Sequence, residues 1–88
     1  MSRTVWKFRF DDPALVIPLS PGARVIFVTM QTPDDAWPTI WVELDTDEPQ
    51  RDRKFAIIGT GHPVPTGYRH CGSTLDGPYV WHVYEVVA

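Results

Sequence analysis

The chain has one cysteine, no long apolar run and no excess of basic charge. A lone Cys71 cannot close an intramolecular disulfide, so packing has to hold the fold, and a reducing compartment is the simpler reading. No apolar stretch approaches the roughly 18 residues of a membrane-spanning helix, and Met1-Ser2-Arg3-Thr4 lacks the apolar core of a secretory leader. No membrane partner is therefore expected. Eight Lys plus Arg stand against eleven Asp plus Glu, a formal net charge of −3. Binders of long nucleic acid normally present a basic face, so that class is excluded, while one small nucleotide in a local basic pocket is not. Uninterrupted helical pattern is also missing. Nine prolines and six glycines punctuate 88 residues and leave room mainly for short extended segments.

What is present alternates. Thr4–Phe10 places Trp6, Phe8 and Phe10 on one face and Val5, Lys7 and Arg9 on the other, the pattern of a half-buried strand. Leu15–Leu19 is extended, and its Pro18 demotes it to an edge strand or a strand end. After the Ser20-Pro21-Gly22-Ala23 turn, Arg24–Gln31 is almost continuously apolar, which predicts a strand covered on both faces. Thr39–Leu44 should pair with it as a hairpin across a loop in which Trp37 is exposed. An acidic, solvated loop over residues 45–52 leads to the strand Arg53–Ile58. Tyr68–Leu75 and Tyr79–Val87 follow, joined by Asp76-Gly77-Pro78, a strong hairpin signal. The last strand is expected beside the first or against another subunit. The whole reads as one domain over residues 1–88, all-β, a small antiparallel β-sandwich or partly open barrel of about six or seven strands. A chain this short buries a limited core, so a homo-oligomer is expected as well.

The stretch Gly59-Thr60-Gly61-His62-Pro63-Val64-Pro65 departs from this pattern. Two glycines permit positive φ, small residues leave backbone N–H groups open to an anion, and Thr60 and His62 add side-chain donors. No Lys-Ser/Thr pair and no helix follows, so neither a Walker A loop nor a dinucleotide fingerprint is present. The plainer reading is a tight strand-exit turn. Trp41 and Trp81 share strand faces with Glu43 and Glu85, and a tryptophan on such a face can stack on a base. Arg51, Arg53 and Arg69 could pair with phosphate. The alternative is an aromatic pair on a sheet surface or interface. His62, His70, His82 and Cys71 lack metal-ligand spacing, so no metal and no cofactor is expected. Cys71, Ser20 and Ser73 lie in no recognisable nucleophile motif, so no catalytic residue is assigned. His82, in step with Val80, Tyr84 and Val86, reads as a structural histidine.

Taken in order, Val5-Trp6-Lys7-Phe8, Pro21-Gly22-Ala23, Ile40-Trp41-Val42, Phe55 through Pro63 and Val80-Trp81-His82-Val83-Tyr84-Glu85 form a pattern along almost the entire chain. It resembles a family of short bacteriophage proteins described as a domain of unknown function. The resemblance implies a phage-encoded protein working in the host bacterial cytoplasm, and it brings no catalytic residues with it. By analogy of context, such a protein would sequester a small nucleotide-derived immune signal. Gly59, Thr60, Gly61 and His62 would then supply loop contacts, Trp41 or Trp81 a stacking surface, and Arg51, Arg53 or Arg69 a phosphate partner. The alternatives are a phage structural or protein-interaction module and a small nucleotide hydrolase using His62.

Overall fold

Alternation of apolar and polar residues forces these segments to bury one face each, and two sheets do so against one another. The computed structural model describes residues 2–88. The strands are β1 (Arg3–Arg9), β2 (Ala14–Leu19), β3 (Arg24–Thr29), β4 (Thr39–Asp45), β5 (Arg51–Gly59), β6 (Tyr68–Asp76) and β7 (Tyr79–Val86), with no helix among the described residues. A three-stranded sheet in the order β1-β4-β3 faces a four-stranded sheet in the order β2-β5-β7-β6. All pairings are antiparallel. The fold is a small β-sandwich and not a closed barrel.

Ile40, Val42 and Leu44 of β4 supply the inner face of the smaller sheet. They meet Ile17 and Leu19 of β2, Phe55 and Ile57 of β5 and Val83 of β7 in one core cluster. Fully burying a side chain such as Phe55, Ile40 or Val83 contributes about 1.5–3 kcal/mol, so this cluster is the main source of stability. Pro18 faces solvent on the edge strand β2, where its missing N–H costs no ladder bond.

The two sheets converge where β3 meets β6. A Cβ added at Gly72 would lie 2.7 Å from Val28 Cγ2, so only glycine lets them approach there. The Met30 N–H donates to Thr74 Oγ1 across the same corner at 3.3 Å.

Four expectations are corrected. β3 is an edge strand, not one covered on both faces: Phe27 is 57% exposed, and the register slips between Val25 and Phe27. An apolar run signals two covered faces only in a central strand, and here a bulge at Ile26 turns apolar side chains outward. β7 pairs with β5 and β6, not with β1. Trp6 is 43% exposed although it shares a face with buried Phe10, because β1 is itself an edge. Trp37 is half-buried against the core rather than exposed in its loop, with its ring 6.5 Å from that of Trp81.

Candidate functional site

β5 runs out of the core at Gly59 and must turn before Pro63. The His62 N–H donates to the Gly59 carbonyl at 3.1 Å, and Gly61 takes φ +89°. Residues 59–62 are thus a four-residue turn with a left-handed third position, the role that requires glycine. The turn consumes the His62 N–H that an anion-binding loop would have offered. The Thr60 hydroxyl is engaged too: it donates to the Val80 carbonyl at 3.2 Å and lies 2.9 Å from His82 Nε2.

The turn forms one wall of a cleft of about 370 Å³, lined by Gly59, Thr60, His62, Pro78, Tyr79, Val80 and Trp81. The opposite wall comes from the start of β7 and its hairpin. Gly77 takes φ +56° ahead of Pro78, a two-residue turn that brings Asp76 opposite Tyr79. Tyr79 and Trp81, two positions apart on β7, stack with ring centroids 6.2 Å apart and planes 27° apart. Trp81 is fixed by its indole N–H donating to Asp76 Oδ2 at 2.9 Å. Its ring crosses the end of β5: a Cβ on Gly59 would meet Trp81 Cζ3 at 3.2 Å and His62 Cδ2 at 3.3 Å. Tyr79 is 62% exposed, so one aromatic face stays open to solvent beside the cleft. A pocket of this size walled by aromatic rings suits a planar, largely uncharged group.

The predicted site residues separate into three places. Gly59, Thr60, His62 and Trp81 meet in the cleft, and Gly61 shapes its turn. Arg51, Arg53 and Arg69 do not join them. Gly59 and Arg53 lie six positions apart on β5, roughly 20 Å at the rise of a strand. Arg53 is held between the sheets, its Nε and Nη2 on the two oxygens of Glu85 at 2.7 and 2.9 Å. Its Nη1 donates to the carbonyls of Ser20 and Ala23 at 3.0 and 2.7 Å. Arg69 Nη2 adds a third bond to Glu85 at 2.8 Å from a largely exposed side chain. Hydrogen bonding to Arg53 is the first cause that holds the Glu85 carboxyl below its usual range, against the desolvation that would raise it. The same contact raises Arg53. This cluster ties the β2–β3 turn to β5 and β7, and Arg51 stands exposed at the start of β5.

Trp41 lies on the other sheet, on its outer face. It is opposite Lys7 and Phe27 in register, with its ring 5.3 Å from that of Phe27. No group of three or more metal-ligating side chains occurs among the described residues. Burial pushes the Cys71 thiol up, with the Glu85 carboxylate adding to it, which keeps that sulfur protonated and a poor nucleophile.

Sequence reasoning missed Tyr79 and Pro78 in the cleft. The signal was available: Tyr79 and Trp81 are two apart on one strand face, immediately after a hairpin turn that sets their direction. It set Ser73 aside and missed its bonding: the hydroxyl lies 2.7 Å from His82 Nδ1 and 2.9 Å from His70 Nε2. No helix among the described residues is long and apolar enough to cross a membrane.

No curated protein and no solved structure matches this chain. Its residues 1–88 do match one family model in full, and the chain belongs to that family, described as "Domain of unknown function (DUF7352)".

Proposed function

We propose that this is a phage-encoded binding protein that sequesters a small nucleotide-derived signal in the host cytoplasm, holding the planar base in the Tyr79–Trp81–His62 cleft. The observation that carries the reading is the stacked Tyr79–Trp81 pair, with an open aromatic face beside a cleft large enough for a nucleobase. Stacking on such a face is worth about 1–3 kcal/mol per base. The His62 ring lines the cleft and has no side-chain partner among the described residues, so it is free to contact a ring edge. The Thr60 and His62 donors already serve the fold, so the loop contributes shape more than anion binding.

The phosphate side of the original expectation draws less support. The arginines stand far from the cleft, and Arg53 has its donors bonded within the chain. Affinity is therefore set by the base. Titration of the protein with nucleosides and their 5′-monophosphates, followed by tryptophan fluorescence and calorimetry, tests this. The nucleoside and its monophosphate are expected to bind within a few-fold of each other, without turnover. No quenching and no heat across the panel sinks the reading. A homo-oligomer belongs to the same proposal, and native mass spectrometry reports it.

A second reading, a protein-interaction module, is favoured by one feature. Phe27 is 57% exposed and packs on Trp41 on the outer face of the smaller sheet, where an apolar pair on a sheet surface suits a partner chain. Co-purification of a protein partner that is lost in Phe27→Ser would favour it. The hydrolase reading through His62 gains nothing, since no base, acid or nucleophile is bonded to that ring among the described residues.

A further inference from the structure

The outer face of the larger sheet carries a chain of four side chains whose proton positions can be counted. The Thr60 hydroxyl has one hydrogen, which it gives to the Val80 carbonyl at 3.2 Å. Its oxygen therefore accepts at 2.9 Å from His82 Nε2, which carries the ring proton. His82 Nδ1 is then bare and accepts the Ser73 hydroxyl proton at 2.7 Å. The Ser73 oxygen accepts in turn from His70 Nε2 at 2.9 Å. A backbone carbonyl at one end thus sets the direction of every bond to the other.

Local structure explains the assembly. Ser73 and His82 are direct cross-strand partners, and His70 is opposite Tyr84 one step along. The register of β6 slips between His70 and Gly72, leaving Cys71 as an extra residue, so His70 and Ser73 share a face despite being three apart. The Tyr84 and His70 rings pack edge to face with centroids 5.2 Å apart, which helps hold His70.

We propose that Ser73 is an activated nucleophile for acyl transfer from small activated carboxylic esters, with His82 as its general base and Thr60 as a positioning residue. The arrangement has the logic of a serine–histidine pair whose far nitrogen is oriented by a third group, here a hydroxyl anchored on a carbonyl instead of a carboxylate. Ser73 Oγ forms a bond to the ester carbonyl carbon while its proton passes to His82 Nδ1. The carbon–oxygen bond to the leaving alcohol breaks with its electron pair, and His82 returns the proton to that oxygen. Water then attacks the acyl-serine, His82 takes the proton of the water, and Ser73 leaves reprotonated. The net change is ester plus water to acid plus alcohol. His70 Nε2–H donates to Ser73 Oγ, which leaves the Ser73 hydroxyl proton directed at His82 Nδ1. No arginine or lysine is bonded to any member of the chain among the described residues, which favours acyl over phosphoryl transfer, where more negative charge needs compensation. The site is separate from the base-binding cleft, sharing with it only Thr60.

The test is incubation of the full chain with p-nitrophenyl acetate, following p-nitrophenolate release and locating the acetyl group by peptide mass spectrometry. Acetyl on Ser73 is expected. Release should exceed that of Ser73→Ala by about 10²-fold, the scale of general-base assistance. Exposed His62 supplies a background reaction that the Ser73→Ala variant reports. His82→Gln should lose the Ser73 adduct while its melting temperature stays close to wild type. Thr60→Val should keep the adduct at Ser73 but slow it and shift its pH profile. Absence of acetyl on Ser73 in the wild-type protein overturns the proposal, as does equal labelling in His82→Gln.

Discussion

β5 and β7 lie side by side, yet their two ends are built on opposite principles. At one end Arg53 and Glu85 form a buried ion pair, joined by the exposed Arg69, in which Arg53 makes four hydrogen bonds. At the other, Gly59 and Trp81 end the same pairing in a cleft where the Thr60 hydroxyl and the Trp81 indole N–H are bonded locally and the Tyr79 ring is left exposed. The first end spends its chemistry on holding strands and turn together. The second spends only its hydrogen bonds and keeps its stacking surface. Charge in the sequence suggested Arg53 as a phosphate partner, and the fold uses its donors within the chain. A buried arginine that bonds backbone carbonyls is a structural tie, and a ligand would have to break those bonds to use it.

The sharpest way to break the comparison is to remove the anion from the structural end. In Glu85→Ala, Arg53 keeps its two carbonyl acceptors but loses its counter-charge while its side chain is only 11% exposed. Removing one partner of a buried pair costs about 3–5 kcal/mol, enough to unfold a large share of a domain this small. Chemical denaturation by urea measures it. If the loss is under about 1 kcal/mol, the cluster is not the tie described.

The same end should dominate the acid limb of stability. Glu85 is held below its ordinary pKa by its hydrogen bond to Arg53, so its contribution is fully present above the unfolded-state value of about 4.3. It is lost as the pH falls from there through the lower folded-state value. Melting temperature should drop steeply below about pH 4.5 in the wild-type chain and less steeply in Glu85→Gln, which starts lower. Parallel curves for the two proteins would move the acid sensitivity elsewhere.

Much of the sandwich was legible. Each strand is marked by alternation or by β-branched runs, and each turn by proline and glycine, because those signals are local. What was not legible depends on neighbours. β3 read as a strand covered on both faces and β4 as its hairpin partner, but only sheet order says that β4 is central and β3 an edge. The pairing of His70 with Ser73 was hidden for a sharper reason. Strict period-two alternation places residues three apart on opposite faces, and only the extra residue at Cys71 reverses that. The stacking end was half legible. Trp81 and the Gly59–His62 turn stood out by residue type, whereas Tyr79 gained its role from the hairpin that aims it.

At the cleft end, Tyr79→Ala tests the proposed base binding apart from stability. The ring is 62% exposed, so its loss removes little packing. Base affinity should fall by about 1–3 kcal/mol, or roughly ten- to a hundredfold, with urea stability unchanged within about 0.5 kcal/mol. Unchanged affinity would move the base off this face.

The smallest effect distinguishes the two glycines of the turn. A Cβ at Gly61 meets nothing within 4 Å, so Gly61→Ala is penalised only by its φ of +89°. That strain is worth about 1–2 kcal/mol at most, with the cleft wall left in place. Gly59 has the reverse problem: its backbone is ordinary strand, but an added methyl presses on the Trp81 and His62 rings at 3.2 and 3.3 Å. Gly59→Ala should therefore weaken base binding more than it weakens folding, and Gly61→Ala the opposite. Measuring both variants by urea denaturation and by base titration decides whether the turn is the wall of a site. If both lose stability alone, residues 59–62 merely return the chain, and the stacking pair stands without the histidine opposite it.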